Sequence, residues 1–226
     1  MVAIAKKYYL LPFFLASLST TALADSEAMR KKAPLSLNLH VTGGNPPLVP
    51  GLGISYSFGP RFDFGIQAFK GSGDLRADFK EKVELPTGMT LSKADIDAQQ
   101  GILVMRFLPG NSFSILFASG YRQDKVNYAF LNSGLQWDFS AVLTRETVIA
   151  SAGIGNQWTF DNGVNFGIDW AIFSWKLASK STTALSSRGL TTEEAETLDR
   201  SLQFWTSDVA KSTPELAVVY TVGYRF

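Results

Sequence analysis

The chain has 226 residues, with 21 Lys and Arg against 20 Asp and Glu, one His and no Cys. Near-neutrality removes the basic footprint that nucleic-acid binding requires. The missing Cys excludes a disulfide framework and a lipid-modified cysteine anchor.

Taken in chain order, Lys6 and Lys7 precede an apolar run from Tyr8 to Leu18. The small-x-small pattern of Thr21-Ala22-Leu23-Ala24 follows. Residues 1–24 therefore read as a secretory signal, and 25–226 as the mature domain starting at Asp25. Removing Lys6 and Lys7 leaves 19 basic residues against 20 acidic. No later segment has the roughly 18 to 20 unbroken apolar residues of a spanning helix. An exported chain of this kind is periplasmic, released or a β-barrel, and the alternating strands below choose the barrel.

A membrane-crossing strand needs about 9 to 11 residues, apolar on alternate positions. Leu35, Leu37, Leu39 and Val41 make the first such run, and Leu52, Ile54, Tyr56 and Phe58 the second. A turn at Phe58-Gly59-Pro60-Arg61 leads to Phe62, Phe64 and Ile66. Leu103, Met105 and Phe107 run into Leu108-Pro109-Gly110-Asn111, and Phe113, Ile115 and Phe117 leave it. Ala152, Ile154 and Trp158 precede Phe160-Asp161-Asn162-Gly163, and Val164, Phe166, Ile168 and Trp170 follow it. Leu216, Val218, Tyr220, Val222, Tyr224 and Phe226 close the chain. Three Gly- or Pro-bearing turns and eight runs predict an all-β fold. It is an eight-stranded antiparallel transmembrane β-barrel with short periplasmic turns, long outer loops and one short loop helix. The 19 Gly and 13% aromatic residues suit such a wall, with rings forming girdles at two interfaces.

The outer connections differ in length. Gly43 to Val49 is short. Alternation continues from Gly73 to Leu85 before Pro86-Thr87-Gly88 turns the chain. Ser112 to Leu131 and Leu135 to Trp158 form two long runs around Asn132-Ser133-Gly134, predicting hairpins that stand above the membrane. Thr191 and Glu194 form a capping box. Ala195, Leu198, Leu202, Trp205 and Val209 recur at helical spacing, predicting a helix over 191–209. Its apolar stripe packs on the barrel rim or, alternatively, meets a partner or lipid head group. Trp137, Phe139, Leu198, Leu202 and Trp205 are the candidate outer-loop contacts.

Parity turns Asn38, His40, Ser55, Ser57, Asp63, Gln67, Arg106, Ser151, Gln157, Asn165, Asp169, Thr221 and Arg225 inward, interspersed with Gly. An eight-stranded interior is just wide enough for side chains to fill, so Asp63, Arg106, Asp169, Arg225 and Gln157 are expected to form a plugging polar network. Asp63 and Arg106, on consecutive strands near turns, are expected to pair. The rival is a narrow pore or a cavity for a small apolar solute, with the glycines making room. Catalysis would have to rest on His40, with Ser36 and Ser55 on the same face and no carboxylate in local reach. That is no complete triad, so no enzyme is expected beyond the remote case of a lipid-modifying one. No metal or cofactor spacing is visible.

The ending Val222-Gly223-Tyr224-Arg225-Phe226 and the layout from Leu35 to Phe226 resemble the OmpX/Ail type of small outer-membrane barrels. The resemblance implies residence in the outer membrane of a Gram-negative bacterium, with adhesion, serum resistance or envelope stability carried by outer loops. It also implies that Tyr220, Tyr224 and Phe226 form the signal read by the barrel-assembly machinery. Implied partners are outer-membrane lipid, lipopolysaccharide and a surface ligand or host factor. The layout is also similar to the OmpW type with its hydrophobic channel, and no motif decides between them. The helix at 191–209 departs from the OmpX/Ail pattern.

Overall fold

The computed structural model describes residues 26–43, 50–75, 89–110, 112–132, 138–186, 192–193, 196–200, 202 and 215–226. A short helix, α1 (Ser26–Lys32), precedes eight strands. These are β1 (Leu35–Gly43), β2 (Gly51–Phe58), β3 (Phe62–Asp74), β4 (Met89–Phe107), β5 (Phe113–Asn132), β6 (Asp138–Thr159), β7 (Val164–Leu185) and β8 (Glu215–Arg225). Each pairs antiparallel with the next, and β8 returns to β1, so the sheet is a closed barrel. The closing register runs from Ser36↔Arg225 to Gly43↔Val218.

The three turns join β2–β3, β4–β5 and β6–β7 at one end of the barrel. Gly59 and Gly163 take positive φ there, 71° and 87°, conformations that a side chain disfavours. Leu37, Leu39, Leu52, Ile54, Ile66, Leu103 and Val222 face outward and are exposed. Tyr56, Phe58, Phe62, Phe64, Tyr224 and Phe226 ring the wall near the turns. Tyr121, Trp170, Trp175 and Tyr220 stand higher. So broad a continuous apolar surface is foreign to a water-soluble monomer. Between two aromatic girdles it is the lipid-facing band of an outer-membrane β-barrel.

Strand lengths divide the molecule into two tiers. β1, β2 and β8 have 9, 8 and 11 residues, enough to cross the band. β4 to β7 have 19, 20, 22 and 22, so some ten residues of each rise about 30 Å beyond it. Among the described residues, β3 to β7 continue above the short strands, as a curved sheet. Its concave face carries the apolar core of the molecule: Leu91, Ala94, Ile96, Val126, Tyr128, Phe130, Ala141 and Leu143.

Register shifts at Leu91/Lys93 and Val148/Ile149 interrupt the period of two high on the sheet, and two further features that the period does not show lie lower. β7 bulges at Trp170: Asp169 pairs with Gly155, whereas Ala171 pairs with Ile154. Ile172 and Ser174 therefore turn inward, opposite Gly153 and Ser151. The second is α1, with Glu27 in its first turn and Arg30, Lys31 and Lys32 in its last, charges that suit the helix dipole. Pro34 stops it. The Thr159 N–H donates to the Ser26 hydroxyl at 3.1 Å, and Arg30 Nε donates to Pro60 O at 2.6 Å. The helix thus ties β6 to the β2–β3 turn beneath the barrel.

Candidate functional site

Side chains converge at two places, the lumen at the lipid band and the core of the raised tier. In the lumen, Asp63, Arg106, Asp169 and Arg225 are at most 4% exposed. Asp63 and Arg106 are register partners on β3 and β4, yet each side chain engages the far side of the barrel. Arg225 Nη2 donates to Asp63 Oδ2 at 2.9 Å, and Ser57 bonds to both residues. Arg106 forms a two-pronged bond to Asp169, with Nη2–Oδ2 at 2.9 Å, and also donates to Ser114 at 3.2 Å. The Asp63–Arg106 pairing expected from the sequence is therefore corrected to Asp63–Arg225 and Arg106–Asp169. Each pair spans three strand steps around the ring, and the sheet's curvature makes the distant partner the nearer one. Two arginines and two aspartates leave this layer neutral, as burial of charge demands. Gln157 lies on the same inward face, in register with Gly167.

The inward glycines seat neighbouring side chains. A Cβ on Gly53 would come 2.5 Å from His40 Nε2, and one on Gly51 would enter the Phe69 ring. At Gly120, Gly153 and Gly155 it would strike Ile102, Ile172 and Asp169 in turn. The room that glycine leaves is occupied by these neighbours.

His40 is buried, with Nδ1 3.0 Å from Thr221 Oγ1 and its ring 5.8 Å from that of Phe69. Ser36 and Ser55, the hydroxyls expected on its face, bond to each other at 2.8 Å. The structure does not bring them to His40 as nucleophile and base. Among the described residues no group of three or more metal-binding side chains is present.

Further up, Asp124 is held between Arg122 (2.8 Å) and Arg145 (2.6 Å). The spacing of Arg122 and Asp124 along β5 puts both on one face, a signal legible in the sequence. Over this layer sits the apolar core of the raised tier. Leu198 and Leu202 belong to it, 1% and 0% exposed, in one cluster with Tyr128 and Phe130. Residues 196–200 and 202 are helical, with Arg200 and Glu196 paired at 3.6 Å on the exposed side. The capping residues Thr191 and Glu194, and Trp137, Trp205 and Val209, lie outside the described residues. Of Phe139 only the backbone is described, in register with Phe130. Tyr220, Tyr224 and Phe226 face outward, each about half exposed.

The chain matches no protein-family model and no curated protein sequence. Among solved structures it is similar to CarO2 of Acinetobacter baumannii, with 12% identity and a TM-score of 0.49, covering 86% of this chain and 99% of that one. It is also similar to CarO of the same organism, with 11% identity and a TM-score of 0.42, covering 85% and 98%. The attachment invasion locus protein Ail of Yersinia pestis gives 11% and 0.43, covering 86% and 97%.

Two predictions follow the geometry. Removing one partner of a buried pair costs about 3–5 kcal/mol. Double-mutant cycles in urea unfolding should therefore show strong coupling for Asp63/Arg225 and Arg106/Asp169. Asp63/Arg106 should couple more weakly; the reverse order would restore the discarded pairing. In the raised tier, Leu202→Asp should expose the 191–209 segment to protease on intact cells while the folded barrel persists. Unchanged protection would show that the segment is not held by this stripe.

Proposed function

We propose that this chain serves the Gram-negative outer membrane as a structural or surface-interaction barrel, its lumen plugged and its contacts made by the raised outer tier. The observation that supports the reading is a pair of layers in the interior: neutral, crossed ion pairs span the lumen at the level of lipid, and buried apolar side chains cluster in the tier above it. A path for solute would have to break both layers, and buried charges deprived of partners are costly. The outer tier is a packed body, so it presents its outward residues in a fixed arrangement, which favours recognition over transport. Its partners on this reading are outer-membrane lipid and lipopolysaccharide around the wall, and a surface ligand or host factor at the tip.

Tyr220, Tyr224 and Phe226 on the closing strand serve in addition as the element recognised by the barrel-assembly machinery. Their outward exposure on the strand that closes the ring supports this assignment. Deleting Phe226 should lower the amount of heat-modifiable, folded protein in the outer membrane several-fold. Wild-type levels would remove the assignment.

The purified full-length chain in planar bilayers tests the plug. Insertion without steady conductance is the expected result. A steady, size-defined conductance would overturn the plug and move the function to a narrow pore or a small-solute passage.

A further inference from the structure

The periplasmic end of the barrel is electrically divided, and α1 spans the division. Its first turn lies at the β6–β7 turn: Ser26 is bonded to Thr159, beside Glu27 and two residues from Asp161. Its last turn lies at the β2–β3 turn. Arg30 Nε holds Pro60 O there at 2.6 Å, which sets the segment Lys31-Lys32 next to Arg61. All three of these basic residues are exposed. The Phe226 carboxylate, bonded to Leu35 N at 3.2 Å, subtracts one charge from the three and leaves two in excess. Above this basic pole, on the lipid-facing wall, lies an apolar groove of about 640 Å³. Leu35, Tyr56, Phe64, Met105 and Phe117 line it on the side of the turns, and the short side chain of Ser119 gives it depth one row higher. A single row of rings, Phe58, Phe62 and Phe107, separates groove from pole. Arg61 is three residues from Phe64, about 10 Å along the chain.

We propose that this surface seats one anionic glycerophospholipid of the periplasmic leaflet, its acyl chains in the groove and its phosphate at Arg61 and Lys32. The ring row is the boundary between hydrocarbon and head groups, so a phosphate beside Arg61 lies outside the girdle while the chains begin inside it. Guanidinium and ammonium groups bind phosphate oxygens through charge-assisted hydrogen bonds, and their long stems can lie along the apolar wall while the charge stays in water. The two excess positive charges favour a head group with net negative charge. A zwitterionic head group brings an ammonium of its own, which the same residues repel. The β6–β7 side of the same end carries Glu27 and Asp161 instead, so the preference belongs to one side of the barrel. The proposal rests on the outer-membrane lipid assigned to the wall above, and gives that lipid a leaflet, a head-group class and a fixed seat.

The test is native mass spectrometry of the refolded full-length chain released from detergent micelles. The probes are phosphatidylglycerol and phosphatidylethanolamine with the same acyl chains. One phosphatidylglycerol per barrel should be retained, and phosphatidylethanolamine roughly tenfold more weakly. The double variant K32E/R61E should lose phosphatidylglycerol to the same degree. Ser119→Trp, which fills the groove without altering charge, should lose it as well. Lys180→Glu in the raised tier is the charge control and should retain it. Heat-modifiable migration identifies folded variants, and K32Q/R61Q takes the place of K32E/R61E if that variant does not fold. Equal retention of the two lipids, undiminished phosphatidylglycerol on the folded Lys32/Arg61 variant, or equal loss with Lys180→Glu would each overturn the seat. Entry into phosphatidylcholine vesicles reads the wall separately: folded insertion together with equal retention overturns the seat and leaves the membrane placement standing.

Discussion

Lipid offers no hydrogen bonds, so a sheet crossing a membrane cannot keep an edge. The pairing of β8 with β1 satisfies that constraint, and the rest of the barrel depends on it. Closing the ring at eight strands leaves an interior that side chains alone can fill. Every inward position must then be small, polar and paired, or packed against a small neighbour. The glycines opposite His40, Phe69, Ile102 and Asp169 and the crossed pairs Asp63–Arg225 and Arg106–Asp169 are two answers to one shortage of space. Closure also creates the first pair, because Arg225 belongs to the strand that completes the ring.

The same strands work in two solvents. On the lower part of β4, Leu103 and Met105 face lipid while Val104 and Arg106 face the lumen. Higher on that strand Ile96 and Ala98 are buried inside, and Asp97 and Gln99 stand outside. The strand keeps its inside and its outside, and the chemistry of the two faces exchanges. This exchange locates the edge of the membrane on the protein. It also gives the raised tier an ordinary hydrophobic core. Leu198 and Leu202 from the last outer connection help to fill that core, where burying a leucine contributes about 1.5–3 kcal/mol. A helix of this length is marginal alone in water, so segment and sheet stabilise each other.

The periplasmic end has its own closure. The bonds of Ser26 to Thr159 and of Arg30 to Pro60 draw α1 across two of the turns. The barrel is therefore tied at one end by a seven-residue helix, filled through its middle by paired charges, and packed at the other end by leucines. These three features are the physical support for the proposal that the contacts of this protein are made at its surface.

The sequence by itself determined whatever depends on a local period or a local turn. The strand count, the three turns, the outward and inward faces and the raised β5–β6 hairpin are all legible in alternation and in Gly and Pro placement. So are the inward Asp63, Arg106, Asp169 and Arg225, and the apolar stripe that carries Leu198 and Leu202. The tertiary structure alone decided what depends on curvature and closure. It chose Arg225 over the adjacent Arg106 as the partner of Asp63, because side chains on a tightly curved wall reach across the lumen more readily than along it. It inserted the bulge at Trp170, which reverses parity where the ladder between β7 and β8 must adjust. It docked α1, whose seven residues are too few to show a helical period.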